Sequence, residues 1–270
     1  AVRQDGNQSP TDLAVAAALQ ALSEAKVQPE QLGLVIGDCS TPWQSTPAEG
    51  QRVADRLGLK VAAYDISGGG IVPLQLAVLH RWKRDRVAEY TLLVTTFTPT
   101  ARMQFDSLSG EHVQFSDAAV ACVISAKHPG RFRVVDADVQ YNGADSPASK
   151  AALSIDAFLP LAADLELLRT KLERLSDECT ARAIFKNKLH GSHFAFACGE
   201  ASVGMSQRIA ERHDIARYCS TFAEHGHLLS AGALFGLCEL DHSLASGERV
   251  LLTQALPGFV SGYAVLEVLS

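Results

Sequence analysis

The sequence predicts an α/β fold built as two similar halves. Three features carry this expectation. Short apolar strands alternate with helical stretches, the same succession of elements runs twice, and each pass closes on consecutive strands. The 270 residues are 47% hydrophobic and 20% charged, which excludes a disordered chain and supplies apolar side chains for a large core.

Ser9-Pro10-Thr11-Asp12 starts the first helix: serine accepts from a free backbone N–H, proline suits the first turn, and aspartate favours the positive helix end. Val15, Ala18, Leu19 and Leu22 then make an apolar stripe as far as residue 26. An apolar strand is expected over 34–37, a helix from 47 to the residue before Gly58, and a strand over 61–64. Ser67-Gly68-Gly69-Gly70 leads into a helix over 73–84, followed by strands over 91–94, 118–124 and 131–139. In the second half the pattern gives a helix over 161–184, a strand over 194–197 and helices over 202–212 and 230–240. Strands over 250–252 and 263–266 follow, joined through Pro257-Gly258. Leu161, Leu165, Leu168, Leu172 and Leu175 have coiled-coil spacing, but two heptads also describe a helix packed on its own sheet, which is the reading taken. Tyr141-Asn142-Gly143-Ala144-Asp145-Ser146-Pro147 is the expected boundary, giving halves 1–145 and 146–270.

The formal net charge is −6, and the densest basic run is Arg81-Trp82-Lys83-Arg84-Asp85-Arg86. A nucleic-acid binder needs a broader basic surface to displace counterions, so small molecules or proteins are the expected partners. Six dispersed cysteines without a Cys-x-x-Cys pair suggest a reducing compartment. The first residues carry no secretory apolar region, and no apolar run approaches roughly the 18 residues of a membrane span. A cytoplasmic protein with no membrane association is expected.

Three segments carry candidate chemistry. Tyr64-Asp65-Ile66-Ser67-Gly68-Gly69-Gly70 joins strand to helix and offers backbone N–H groups to an anion or a thioester carbonyl, or else is a tight packing turn. It fails the G-x-G-x-x-G spacing, because Pro73 holds the third position. Cys198-Gly199-Glu200-Ala201-Ser202-Val203-Gly204 comes within one residue of a nucleophile elbow, with Ser202 as nucleophile or, more simply, as a helix cap. Glu224-His225-Gly226-His227 places two histidines before an apolar helix, where an imidazole polarises a carbonyl or moves a proton. With His190 and His193 they form two pairs but fix no third ligand, so no metal is expected.

In this order the segments resemble the beta-ketoacyl-acyl-carrier-protein synthase III group of thiolase-fold enzymes over nearly the whole chain. Also matching are Ser9-Pro10-Thr11-Asp12-Leu13-Ala14, the stretch from Leu34 to Ser40-Thr41-Pro42, Asp65-Ile66-Ser67, Val113-Gln114-Phe115-Ser116-Asp117-Ala118-Ala119, and the two closing strands. The resemblance implies a five-layer α-β-α-β-α fold, with the helices after Gly70 and near Ser230 between two sheets. It also implies a strand and loop ahead of the Ser9 helix that are absent from this sequence, which is either a fragment or trimmed product or, if complete, has a sheet edge in want of a partner.

That family works through a Cys, a His and an Asn. Alignment puts Gly70 at the Cys position, Cys198 or Gly199 at the His position, and His227 at the Asn position. Condensation through a Cys-bound intermediate is therefore not open to Gly70. The first implied function is a non-condensing subunit of fatty-acid, polyketide or related biosynthesis, in a homodimer or a heterodimer with a thiolase-fold relative. The second is a Cys-independent acyltransferase, and the third a hydrolase using Ser202. No permanently bound cofactor is implied. An acyl-coenzyme A or acyl-carrier-protein thioester is the implied substrate, and acyl carrier protein a partner. His227 and Cys198 are the catalytic candidates, and Ser67, Gly69, Gly70, Gly199 and His225 the binding candidates. His227 is expected to face a cavity lined by Gly70 and Cys198, with His225 turned outward.

Overall fold

The computed structural model describes residues 8–66, 72–81, 88–102, 115–142, 162–190, 193–256 and 260–269. Helix α1 (Pro10–Ala25) starts on the expected cap: Ser9 Oγ accepts from Asp12 N at 3.2 Å, and Asp12 Oδ2 accepts from Ser9 N at 2.8 Å. Strand β1 (Leu32–Cys39), helix α2 (Glu49–Arg56), strand β2 (Ala62–Asp65), helix α3 (Val72–Arg81) and strands β3 (Tyr90–Phe97) and β4 (Ala118–Ser125) follow. Then come strand β5 (Phe132–Tyr141), helix α4 (Ala162–Asn187), strand β6 (Phe194–Gly199), helix α5 (Met205–Arg212) and strand β7 (Arg217–Cys219). The single turn α6 (Phe222–His225), helix α7 (Gly232–Asp241) and strands β8 (Arg249–Leu256) and β9 (Val260–Val268) complete the chain.

Two mixed sheets result. The first has the order β2-β1-β3-β4 and the second β5-β9-β8-β6-β7. In the first, β1 runs parallel to β2 and β3, and β4 is antiparallel to β3. In the second, β6 runs parallel to β7 and β8, and β9 is antiparallel to β8. One expectation is corrected here. The strand over 132–141 does not close the first half: it pairs along its length with β9 in the second sheet. The change of sheet falls in the turn at 126–131, not at 145, because strand membership is fixed by a partner more than a hundred residues away. Among the described residues β4, where β9 has β5, has a strand on one side only.

The five layers follow from which side chains each face buries. Leu34, Ile36 and Leu93 of the first sheet and Ala195, Ala197 and Leu252 of the second meet across Leu76, Ala77 and Leu79 of α3 and Leu234, Leu237 and Leu240 of α7. Both helices carry apolar residues all round, as burial on two faces requires. Outside the first sheet, Ala14, Ala18 and Leu22 of α1 and Val53 and Ala54 of α2 cover Leu32, Val35, Leu92 and Val94. Outside the second, Leu172, Leu175 and Cys179 of α4 and Met205 and Ile209 of α5 cover Phe194, Phe196 and Leu251. The leucine repeat of α4 is thus a helix seated on its own sheet. No described helix is long and apolar enough to cross a membrane.

Candidate functional site

Side chains alternate between the two faces of a strand, and in β6 this alternation sorts the candidates. Ala195 and Ala197 face the middle layer, while Phe194, Phe196 and Cys198 face the outer one. Cys198 is therefore not a middle-layer residue: its Sγ lies 3.1 Å from Ser206 Oγ on α5. Gly199, next along the strand, is the residue that belongs to the middle layer.

None of the six thiols is prepared as a nucleophile. Burial pushes Cys39, Cys122 and Cys179 each up to about 12 and Cys219 to about 11. Burial also raises Cys198, further helped by the Glu200 carboxylate, and Cys238. A thiolate at neutral pH needs the opposite surroundings, a helix start or a cation.

His227 is 6% exposed and sits as expected at the bend before α7. Its Nδ1 lies 2.6 Å from the Glu200 carbonyl. A carbonyl only accepts, so Nδ1 carries the proton and Nε2 presents a lone pair. The ring packs on Phe115 at 5.5 Å between centroids, and Ser116 N donates to the His227 carbonyl at 3.4 Å. Burial lowers the His227 pKa to about 4, against the opposing pull of the Glu200 carbonyl, with the Arg169 charge lowering it further. The imidazole is neutral at physiological pH. In this tautomer Nε2 can accept a hydrogen bond but cannot donate one.

Glu200 holds this corner together. Its buried carboxylate accepts from Ser206 N at 3.0 Å, Ser220 Oγ at 3.1 Å, Thr221 N at 2.7 Å and Phe222 N at 2.8 Å. One side chain thus satisfies free N–H groups at the start of α5 and of α6 and fixes the segment that carries His225 and His227. His225 is half-exposed, with its ring edge-on to Phe235, 4.8 Å between centroids.

Sequence reasoning missed several polar residues of the middle layer. Gln254 on β8 is fully buried opposite Gly199, with its Nε2 donating to the Leu229 carbonyl. Asp38 at the end of β1 is 1% exposed and accepts from Thr95 Oγ1 at 2.9 Å. Ser40 Oγ and Ser230 Oγ lie 3.4 Å apart and link the two halves. Gln75 on α3 is fully buried with neither amide atom hydrogen-bonded. Single polar residues of this kind leave no periodic signal in the sequence.

Ser67, Gly69 and Gly70 lie outside the described residues. The residue before their turn is placed: Asp65 accepts from Glu49 N at 2.9 Å and Gly50 N at 2.7 Å, stapling the end of β2 to the start of α2. Ser202 caps nothing, because the N-cap of α5 is Gly204, whose φ of +71° suits glycine. Its Oγ instead accepts from Arg208 Nη2 at 3.0 Å beside a polar cleft of about 300 Å3 that Arg169 and Glu173 also line. Among the described residues no group of three or more His, Cys, Asp or Glu is arranged to hold a metal.

No family model matches the chain. It is 32% identical over 124 residues to the Beta-ketoacyl-[acyl-carrier-protein] synthase III of Clostridium perfringens, covering 44% of this chain and 37% of that protein. It is 36% identical over 125 residues to Beta-ketoacyl-[acyl-carrier-protein] synthase III 3 of Streptomyces coelicolor, covering 44% of this chain and 36% of that one. The matched segment thus spans little more than a third of these curated relatives. In fold, the chain superposes on Xanthomonas campestris OleA, solved with bound lauric acid and lauroyl-CoA, with a TM-score of 0.83 at 19% identity, covering 98% of this chain and 84% of that one. It superposes equally, at 20% identity, on 3-oxoacyl-[acyl-carrier-protein] synthase III of Aquifex aeolicus, covering 97% of this chain and 85% of that one.

Proposed function

We propose that this chain, beta-ketoacyl synthase III-like in its relatives and its thiolase fold, is a non-condensing subunit of fatty-acid, polyketide or related biosynthesis in the cytoplasm. It pairs with an active ketosynthase-type partner or with a second copy, and acyl-coenzyme A or acyl-carrier-protein thioesters are its substrates. The observation that carries this reading is the state of the cysteines: position 70 is glycine, and burial raises the thiols of Cys39, Cys122, Cys179, Cys198 and Cys219 away from ionisation. Pairing is supported by β2, the edge strand among the described residues, whose residues are exposed or half-exposed where most of those of β1 and β3 are buried. The test is a condensation assay on the lone chain and on its mixture with an intact ketosynthase. Turnover only in the mixture is expected. An acyl group found by mass spectrometry on a cysteine of the lone chain overturns the reading.

A second reading, Cys-independent acyl transfer, is favoured by the Nδ1–H tautomer of His227, which leaves the basic lone pair on Nε2. In that step the acceptor's oxygen or nitrogen bonds the acyl carbon as Nε2 takes its proton, and the thiolate leaves with the proton that His227 returns. His227→Ala then lowers the rate by roughly 10²–10⁴-fold. In a silent subunit the same change alters only the partner's acyl-chain preference. Hydrolysis through Ser202 draws no support from a hydroxyl held by Arg208, with no imidazole among the described residues bonded to it.

A further inference from the structure

Among the described residues, four other than glycine have a positive φ: Lys26, Lys188, Asp214 and Leu229. The first three are exposed polar residues just past the end of a helix, where a left-handed turn is routine. Leu229 is different. It is 6% exposed, apolar, and stands at the entry to α7 with a φ of +42°. A bulky side chain disfavours this backbone region by about 5- to 30-fold in population, so the surroundings must hold the residue there.

The Leu229 carbonyl accepts from Gly232 N, which opens α7, and from Gln254 Nε2 on β8. Of these two bonds, the second reaches outside the local turn. The glutamine is otherwise poorly suited to its place. Its Oε1 is fully buried with no hydrogen-bond partner among the described residues, a cost that an unbranched apolar side chain would avoid. Its amide fills the space above Gly199, where a Cβ would lie 2.6 Å from Nε2, but an apolar chain of that length would fill it too. What Gln254 supplies and an apolar residue cannot is the bond to Leu229.

Release of that bond would be felt at His227. A return of Leu229 to the ordinary helical region turns φ by about 100°. The chain after residue 229 cannot follow, because the backbone of α7 lies tight against β6. A Cβ on Gly232 would come 3.0 Å from Gly199 Cα, and one on Gly236 3.0 Å from Ala197 Cβ. The rotation therefore falls on residues 227 and 228. It carries the ring away from the Glu200 carbonyl, 2.6 Å from Nδ1, the contact that fixes its tautomer.

We propose that Gln254 is a positioning residue: by holding the Leu229 peptide in its left-handed turn, it sets the His227 ring on the Glu200 carbonyl, with the proton on Nδ1 and the basic lone pair on Nε2. The inference rests on the second reading above only in treating that lone pair as the reactive one.

The test uses the full chain and reads the His227 ring tautomer at neutral pH from long-range 1H–15N NMR correlations. A general loss of stability in a folded protein would not move this signal. Gln254→Met keeps the length of the side chain and removes the donor. In the natural chain the Nδ1–H form should stand alone, and in Gln254→Met the share of rings off the carbonyl should rise by about 5- to 30-fold. Glycine adopts a positive φ without restraint, so adding Leu229→Gly to Gln254→Met should restore the natural signal. If Gln254→Met alone does not fold, the double variant decides: folded with the natural signal, it supports the clamp. An unchanged tautomer in Gln254→Met overturns the proposal, and so does a double variant that is shifted or unfolded. Acyl transfer from an acyl-coenzyme A to an alcohol, assayed with the natural chain, separates the two ideas. No transfer removes the second reading and leaves the tautomer to decide this one. Transfer with an unmoved tautomer in Gln254→Met overturns this inference alone.

Discussion

Replacing His227 with glutamine tests the electrostatics of the buried corner directly. Glutamine keeps a donor for the Glu200 carbonyl but cannot be protonated, so the comparison isolates the charge. The imidazole pKa is lowered from 6.5 to about 4, chiefly by burial. The folded-state value is the depressed one, so protons favour the unfolded chain. The stability this neutral ring contributes is whole above pH 6.5, is lost as the pH falls from there toward 4, and changes no further below that. Between about pH 7.5 and about pH 5, linkage of the two values gives a loss of about 2 kcal/mol. With a folded-state value one unit higher, the loss is still about 1.5 kcal/mol.

The assay is urea unfolding, followed by circular dichroism, of the natural chain and the His227→Gln variant at both pH values. Carboxylates and other histidines titrate in both proteins and cancel in the difference. The natural chain should lose about 2 kcal/mol more than the variant over this interval. Equal losses, or an NMR titration of the His227 ring centred near 6.5, would refute the argument that the ring is buried and neutral.

Three further outcomes follow from the packing. Gly50→Ala would set a Cβ 2.8 Å from the Tyr64 carbonyl oxygen and 2.9 Å from Gly37 N, both backbone atoms. It should cost about 1–3 kcal/mol in chemical unfolding, and unchanged stability would contradict the close contact of α2 with β1 and β2. Asp65→Ala removes the acceptor for Glu49 N and Gly50 N at the start of α2 and should cost about 0.5–2 kcal/mol, read the same way. In iodoacetamide labelling of the native protein at neutral pH, no cysteine should react faster than free cysteine, and Cys238, the exposed one, should label first. One thiol labelling rapidly and selectively would show an activated nucleophile.

Most of the fold is legible because its signals are local. The Ser9 cap, the stripe through Val15 and Leu22, and the apolar runs at 34–37, 91–94 and 250–252 each follow from neighbours in sequence. The ends of the elements are less so. β1 runs on through Asp38 and Cys39 to the first hydroxyls of the middle layer, and an apolar run cannot mark a strand that continues through a carboxylate. The sheet membership of β5 is beyond any local pattern. Its alternation is the same whether it lies beside β4 or β9, and only the pairing with β9 decides.

The candidate site divides in the same way. Gln254 reads as an ordinary polar residue of a strand, and nothing local shows that it faces a glycine on the neighbouring strand and is enclosed by α7. The choice between Cys198 and Gly199, by contrast, is encoded within β6. Phe194, Phe196 and Cys198 alternate with Ala195, Ala197 and Gly199, so large and small side chains point to opposite faces. The small face is the one against which a helix packs most closely. A Cβ on Gly236 of α7 would lie 3.0 Å from Ala197 Cβ, and one on Gly232 the same distance from Gly199 Cα. A sandwiched helix approaching that near requires alanine and glycine beneath it, whereas the outer face has room for phenylalanine under α4 and α5. Side-chain size along six residues therefore assigns Gly199 to the middle layer and turns Cys198 away from it.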